Sequence, residues 1–121
     1  MIERQGVRIW LDGGWAADAL LGRQTRHHWD LDIVIEQKDV NAVVGMLQIR
    51  GYRPKHQNNP RPWNFALYNG PRREVDFHVV VLDEQGNGIC GPPAGGRFYP
   101  AASLTGIGAI RGKVFRCVTR A

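Results

Sequence analysis

The stretch TRHHWDLDIVI, residues 25–35, places Asp30 and Asp32 one residue apart at the head of a β-branched apolar run. In a strand, residues two apart point to the same face, so these carboxylates stand side by side. Crowding like charges at the edge of a core is unfavourable unless a cation or a hydrogen-bond network offsets it. Two hard oxygen donors on one strand face suit Mg2+ or Mn2+. A third carboxylate, Asp76, lies inside another apolar run, REVDFHVVV (residues 73–81), on the face shared by His78 and Val80. If the two strands are neighbours, Asp30, Asp32 and Asp76 form one cluster around one or two divalent ions. The alternative for Asp76 is a salt bridge to Arg72 or Arg73 at the sheet edge.

Gly13 and Gly14 follow a short apolar run, VRIWLD (residues 7–12), and precede the helix formers WAADALL (residues 15–21). Glycines let a backbone approach a phosphate, and a helix N-terminus offers N–H donors and a favourable dipole. A carboxylate–metal cluster beside such a turn is the equipment of nucleotidyl transfer, in which charge develops during in-line attack at an α-phosphorus. In that chemistry Asp30 and Asp32 hold the nucleotide-bound metal. Asp76 completes a second metal site, accepts the proton of the attacking hydroxyl, or both.

Other residues near these carry two readings each. Arg23 and Arg26 flank Thr25, and guanidinium groups suit triphosphate oxygens; a solvated loop is the equal alternative. His28, two before Asp30, contacts nucleotide, orients a carboxylate or is a polar strand-edge residue. His27 is expected to be exposed, and His78 to be a hydrogen-bonded core histidine, with contact to substrate as the alternative. Trp15 belongs to the core or stacks on a base. Asp18 forms a salt bridge, with Arg26 as one candidate partner. Trp63 edges an acceptor cleft or serves packing.

The elements that must position these groups alternate in type. Strands are expected over residues 7–12 and 30–36. The first helix stops at Gly22, and a second runs from an Asp39 N-cap through Arg50. Val40, Val43, Val44 and Leu47 form its core-facing stripe. Residues 56–63 read as a loop, and NFALY (64–68) and REVDFHVVVL (73–82) as strands joined by a turn at Asn69-Gly70-Pro71. The Gly- and Pro-rich residues 83–96 read as loop throughout, as does Tyr99-Pro100, and residues 108–110 and 113–118 read as a closing hairpin. This order predicts an α+β domain, a mixed sheet with helices mainly on one face.

With 121 residues the chain makes one domain, residues 1–121. The formal net charge is +5, and no Asp or Glu follows Glu84. That excess could answer a polyanion, but no Lys/Arg run or nucleic-acid module accompanies it, so nucleic acid is not the expected partner. It also disfavours a polycationic acceptor. No apolar run is long enough to span a bilayer, so no membrane partner is expected, and the reading is cytoplasmic. Cys90 and Cys117 lack metal-type spacing and read as packing residues.

Taken together, LDGGWAADALLGRQTRHHWDLDIVI followed by EVDFHVVV resembles the nucleotidyltransferases of the DNA polymerase beta superfamily. More narrowly it is similar to the lincosamide and aminoglycoside 2″-nucleotidyltransferases. RPWNFAL, DEQGNGICGPP and YPAASLTGIGAIRGKVFRC look closer to the lincosamide type. The resemblance implies that Gly13 and Gly14 line the triphosphate site and that Asp30, Asp32 and Asp76 are the catalytic carboxylates. It implies transfer of a nucleoside monophosphate, usually AMP from ATP, to an antibiotic hydroxyl, conferring resistance, with Mg2+ or Mn2+ as cofactor. Relatives continue beyond the RC strand into a helical segment not included here, and a homodimer is the expected way to cover the surface it leaves. Two rival readings stay open: a truncated or degenerate nucleotide-binding core without turnover, and transfer to an RNA or protein acceptor.

Overall fold

The computed structural model describes residues 6–22, 30–55, 61–71 and 73–119. Along the chain these form β1 (Ile9–Asp12), α1 (Gly13–Leu21), β2 (Asp30–Glu36), α2 (Val40–Ile49), β3 (Arg53–Pro54), β4 (Asn64–Tyr68), β5 (Glu74–Leu82), β6 (Gly88–Cys90), β7 (Arg97–Tyr99), β8 (Gly106–Ile110) and β9 (Lys113–Cys117). The main sheet has the order β3-β4-β5-β2-β1-β9-β8. Strands β2 and β5 are parallel, as are β1 and β9, and the remaining main-sheet pairs are antiparallel. The architecture is the expected mixed sheet of an α+β domain.

Period-2 alternation sorts the central strands onto two faces. Leu11, Ile33, Ile35, Phe77 and Val79 point to one face, where Ala16 and Ala19 of α1 and Val43 of α2 close the main core. Val40, Val44 and Leu47 pack against it, as their spacing predicts. Both helices therefore lie on this side. Phe65 and Phe77 stack within it, ring centroids 4.8 Å apart. Phe77, Ile33 and Leu67 are among its fully buried side chains, each contributing about 1.5–3 kcal/mol by burial.

Trp10, Val34 and Val80 point to the other face and meet Cys90, Tyr99 and Val118. Among the described residues, an arm of short strands covers this face. Beyond the point where β2 ends, β5 continues and pairs with β6, which pairs with β7. A 3-10 turn, Ala101–Leu104, follows, and its Leu104 carbonyl accepts a 2.8 Å hydrogen bond from Trp10 Nε1. Residues 83–96, expected to be loop throughout, thus contain β6. Its Gly88 is squeezed between Val80 and Tyr99, so glycine there serves close packing within a strand rather than a turn.

Three boundaries also differ from expectation. Helix α1 begins at Gly13, with Asp12 as its N-cap, rather than at Trp15. Asp39 occupies the N-cap position of α2 but makes no capping bond, because a 3-10 turn (Gln37–Asp39) precedes the helix and Lys38 Nζ engages the carboxylate. Tyr99, read as loop, ends β7. Among the described residues no helix is long and apolar enough to cross a membrane.

Candidate active site

The carboxylates collect on the face opposite α1 and α2 because of register. Asp12 of β1 pairs with Asp32 of β2, and Asp32 pairs with Asp76 of β5. Paired residues project to the same side, so three acids form a row across three adjacent strands. Asp30 shares that face one repeat outward, opposite Glu74, and is exposed. Among the described residues, the group able to hold a metal ion is Asp32, Asp76 and His78, with ligand atoms within 4.8 Å of one another.

His78 Nε2 lies 3.8 Å from Asp76 Oδ2 and 3.9 Å from Asp32 Oδ1. Asn64 of β4 fixes the opposite side. Its Nδ2 donates to Asp76 Oδ1 and to the Phe77 carbonyl, both at 3.1 Å, and lies 3.4 Å from His78 Nδ1. The two acids are driven apart in acidity. The neighbouring His78 imidazole holds the Asp32 carboxyl below the usual range, against the opposing effect of burial. Burial pushes Asp76 up to about 6; His78 opposes the rise and the Asp32 charge adds to it. The two neighbouring carboxyls thus differ in acidity, with Asp76 the weaker acid.

Gly13 explains why the turn after β1 needs glycine. Its φ is +59°, and a Cβ built there would overlap the Asp32 carboxylate. The chain therefore closes directly over Asp32, and Asp12 Oδ1 accepts a 2.9 Å bond from the Gly13 N–H. Gly14 is the second residue of α1. The donor set fits Mg2+ or Mn2+: two half-buried carboxylates supply hard oxygens, and an imidazole lies within reach of the same point.

Of the residues singled out from sequence, Gly13, Asp32 and Asp76 converge, Gly14 follows Gly13 in α1, and Asp30 extends their face outward. Arg23, Arg26 and His28 lie outside the described residues, as does His27. Asp18 is buried in α1, and Trp15 packs against the main core. Trp63 lines a cleft of about 200 Å3 together with Arg61, Asn64, His78 and Arg97. Sequence reasoning passed over Asp12, Asn64 and Arg97. Asp12 carried a usable signal, an N-cap residue type directly before the helix. Arg97 carried none, being hidden at the end of a Gly/Pro-rich run.

The family model for aminoglycoside-2''-adenylyltransferase matches residues 1–121. A lincosamide resistance protein of Staphylococcus haemolyticus is 32% identical over 98 residues, covering 81% of this chain and 60% of that protein. This chain thus spans less than two thirds of that relative's length. A 2''-aminoglycoside nucleotidyltransferase of Escherichia coli is 40% identical over 48 residues, 37% of this chain and 27% of that one. The structure is similar to the lincomycin-bound lincosamide adenylyltransferase LnuA, with a TM-score of 0.80 and 26% identity over 98% of this chain and 73% of that one. It shares its fold with ANT(2")-Ia, solved with adenylyl-2"-tobramycin, at a TM-score of 0.74 and 24% identity, over 97% and 62% of the two chains.

Proposed function

The chain belongs to the aminoglycoside-2''-adenylyltransferase family, and we propose that it transfers a nucleoside monophosphate, AMP from ATP first, to a hydroxyl of a small antibiotic. The observation that carries this reading is the in-register pairing of Asp32 with Asp76 beneath the Gly13 turn. A lincosamide is the first acceptor, on the relatedness to the lincosamide resistance protein over most of this chain.

Each residue has a role in that reaction. The first turn of α1 directs backbone N–H groups and the positive end of its dipole at the phosphates. Asp32 and Asp76, with His78 beside them, would hold a divalent ion, which when bound neutralises charge on the triphosphate. Asn64 anchors Asp76 Oδ1 and leaves Oδ2 turned toward His78. The acceptor oxygen bonds to the α-phosphorus as its proton passes to Asp76, and the bond to the bridging oxygen breaks to release pyrophosphate.

The test is the mass of lincomycin after incubation with ATP and Mg2+. A gain of one adenylate, lost with Asp32→Asn, is the expected result. An unmodified lincomycin and an unmodified tobramycin would count against antibiotic transfer.

A further inference from the structure

Arg97 reaches the carboxylate row from outside the main sheet. It opens β7, and the preceding Gly96 is seated so closely that a Cβ there would overlap the Cys90 and Pro92 carbonyl oxygens. The backbone delivering the guanidinium is therefore tightly placed. Nη1 lies 3.8 Å from Asp12 Oδ2 and donates to the Tyr99 hydroxyl at 3.4 Å. The first distance exceeds a hydrogen bond, and the other Asp12 oxygen accepts from the Gly13 N–H. Asp12 is 5% exposed at its side chain, whereas Arg97 is 57% exposed. A cation facing solvent is thus held loosely against a buried acid.

Its position relative to open space is equally specific. Arg97 lines the cleft of about 200 Å3 that contains Asn64 and His78. It also lines a second cleft, of about 500 Å3, with Asp12, Phe98, Tyr99 and Ser103. Arg97 thus borders both clefts, and its positive charge favours the ionised form of Asp32. A polyphosphate entering beside three acids needs positive charge, and a guanidinium fork pairs with phosphate oxygens in a way its 3.8 Å contact with Asp12 does not satisfy.

We propose that Arg97 is a phosphate-binding residue of this site, exchanging its loose contact with Asp12 for the polyphosphate of the nucleotide and of the departing pyrophosphate. The inference rests on the nucleotidyl-transfer reading above. It assigns a contact to β7, a strand that carries none of the carboxylates.

Phenylglyoxal modification of the wild-type protein tests it, with Arg97 followed by peptide mass spectrometry. Mg2+ with inorganic tripolyphosphate should slow modification at Arg97 several-fold, and adenosine should not. In parallel, Arg97→Gln should weaken binding of a non-hydrolysable ATP analogue about tenfold or more, with partial recovery in Arg97→Lys. A purely structural Arg97 would lower the ligand-free melting midpoint and leave analogue affinity unchanged. Arg97 equally reactive with and without tripolyphosphate, in protein that binds the analogue, overturns this inference alone. Wild-type protein that does not bind the analogue overturns the transfer reading and this inference with it.

Discussion

Gly13 and Asp32 occupy one space between them: the carboxylate fills the position where a side chain at residue 13 would begin. The turn that closes over Asp32 also holds a positive φ of 59°, so a methyl group there meets both a steric and a conformational barrier. Gly13→Ala should cost about 1–3 kcal/mol of stability. It should also displace Asp32 and lower transfer activity far more than that loss of stability explains. Urea denaturation alongside initial rates separates the two; a fully active Gly13→Ala protein would show that the turn does not control Asp32.

Asn64 is the hydrogen-bond partner that aims Asp76. Removing its amide leaves Asp76 Oδ1 and the Phe77 carbonyl each without that donor. Asn64→Ala should destabilise by about 1–3 kcal/mol. It should lower kcat more than the KM for ATP, because it disturbs the proton acceptor rather than the phosphate site. A change confined to KM would contradict that role.

Acidity gives a signed prediction for the metal-free protein. The folded value of Asp76, about 6, lies above its ordinary 3.8, so between these limits the folded state binds more protons than the unfolded chain. The Asp76 contribution to stability is complete below the lower value and is lost as pH rises through the upper one. Asp32, shifted down, behaves oppositely: its contribution is present above the ordinary value and is lost as pH falls through the folded one. The midpoint difference between wild type and Asp76→Asn should therefore shift against the wild type as pH rises from about 4 to about 7. A difference constant over that window would contradict the assignment.

The helix that carries the Gly13 turn rests on β8 at Gly108, where a Cβ would press on the Ala19 backbone. Gly108→Ala cannot be relieved by a side-chain rotation, so it should destabilise by about 1–3 kcal/mol, read by denaturant midpoint. A midpoint equal to that of wild type would mean that α1 does not lie against β8.

Much of this architecture is legible in local pattern. The alternation in residues 30–36 and 73–82, and the stripe Val40, Val43, Val44 and Leu47, identify their elements because burial on one face leaves a periodic trace. Asp32 and Asp76 are recognisable because a carboxylate in a β-branched run has no packing purpose. Pairing is another matter. Nothing in the residues themselves states that Asp12, Asp32 and Asp76 share one register row, since that depends on which strands become neighbours. Strand β6 was hidden because Gly88 and the glycines and prolines around it read as turn residues, whereas Val80 and Tyr99 demand a small residue in that strand. The spacing of His78 suggests a core histidine; it is buried, yet its Nε2 faces both acids.

The central claim is that Asp32, with Asp76, holds a metal–nucleotide complex for transfer. The most direct measurement is the melting midpoint with and without Mg2+ and a non-hydrolysable ATP analogue, for wild type and Asp32→Asn. Ligand that binds only the folded state raises the midpoint, by about 2.7 kcal/mol of stability at a hundredfold excess over Kd. The account predicts a Mg2+-dependent rise in the wild type that Asp32→Asn loses. An equal rise in both proteins, or none in a folded wild type, would contradict it.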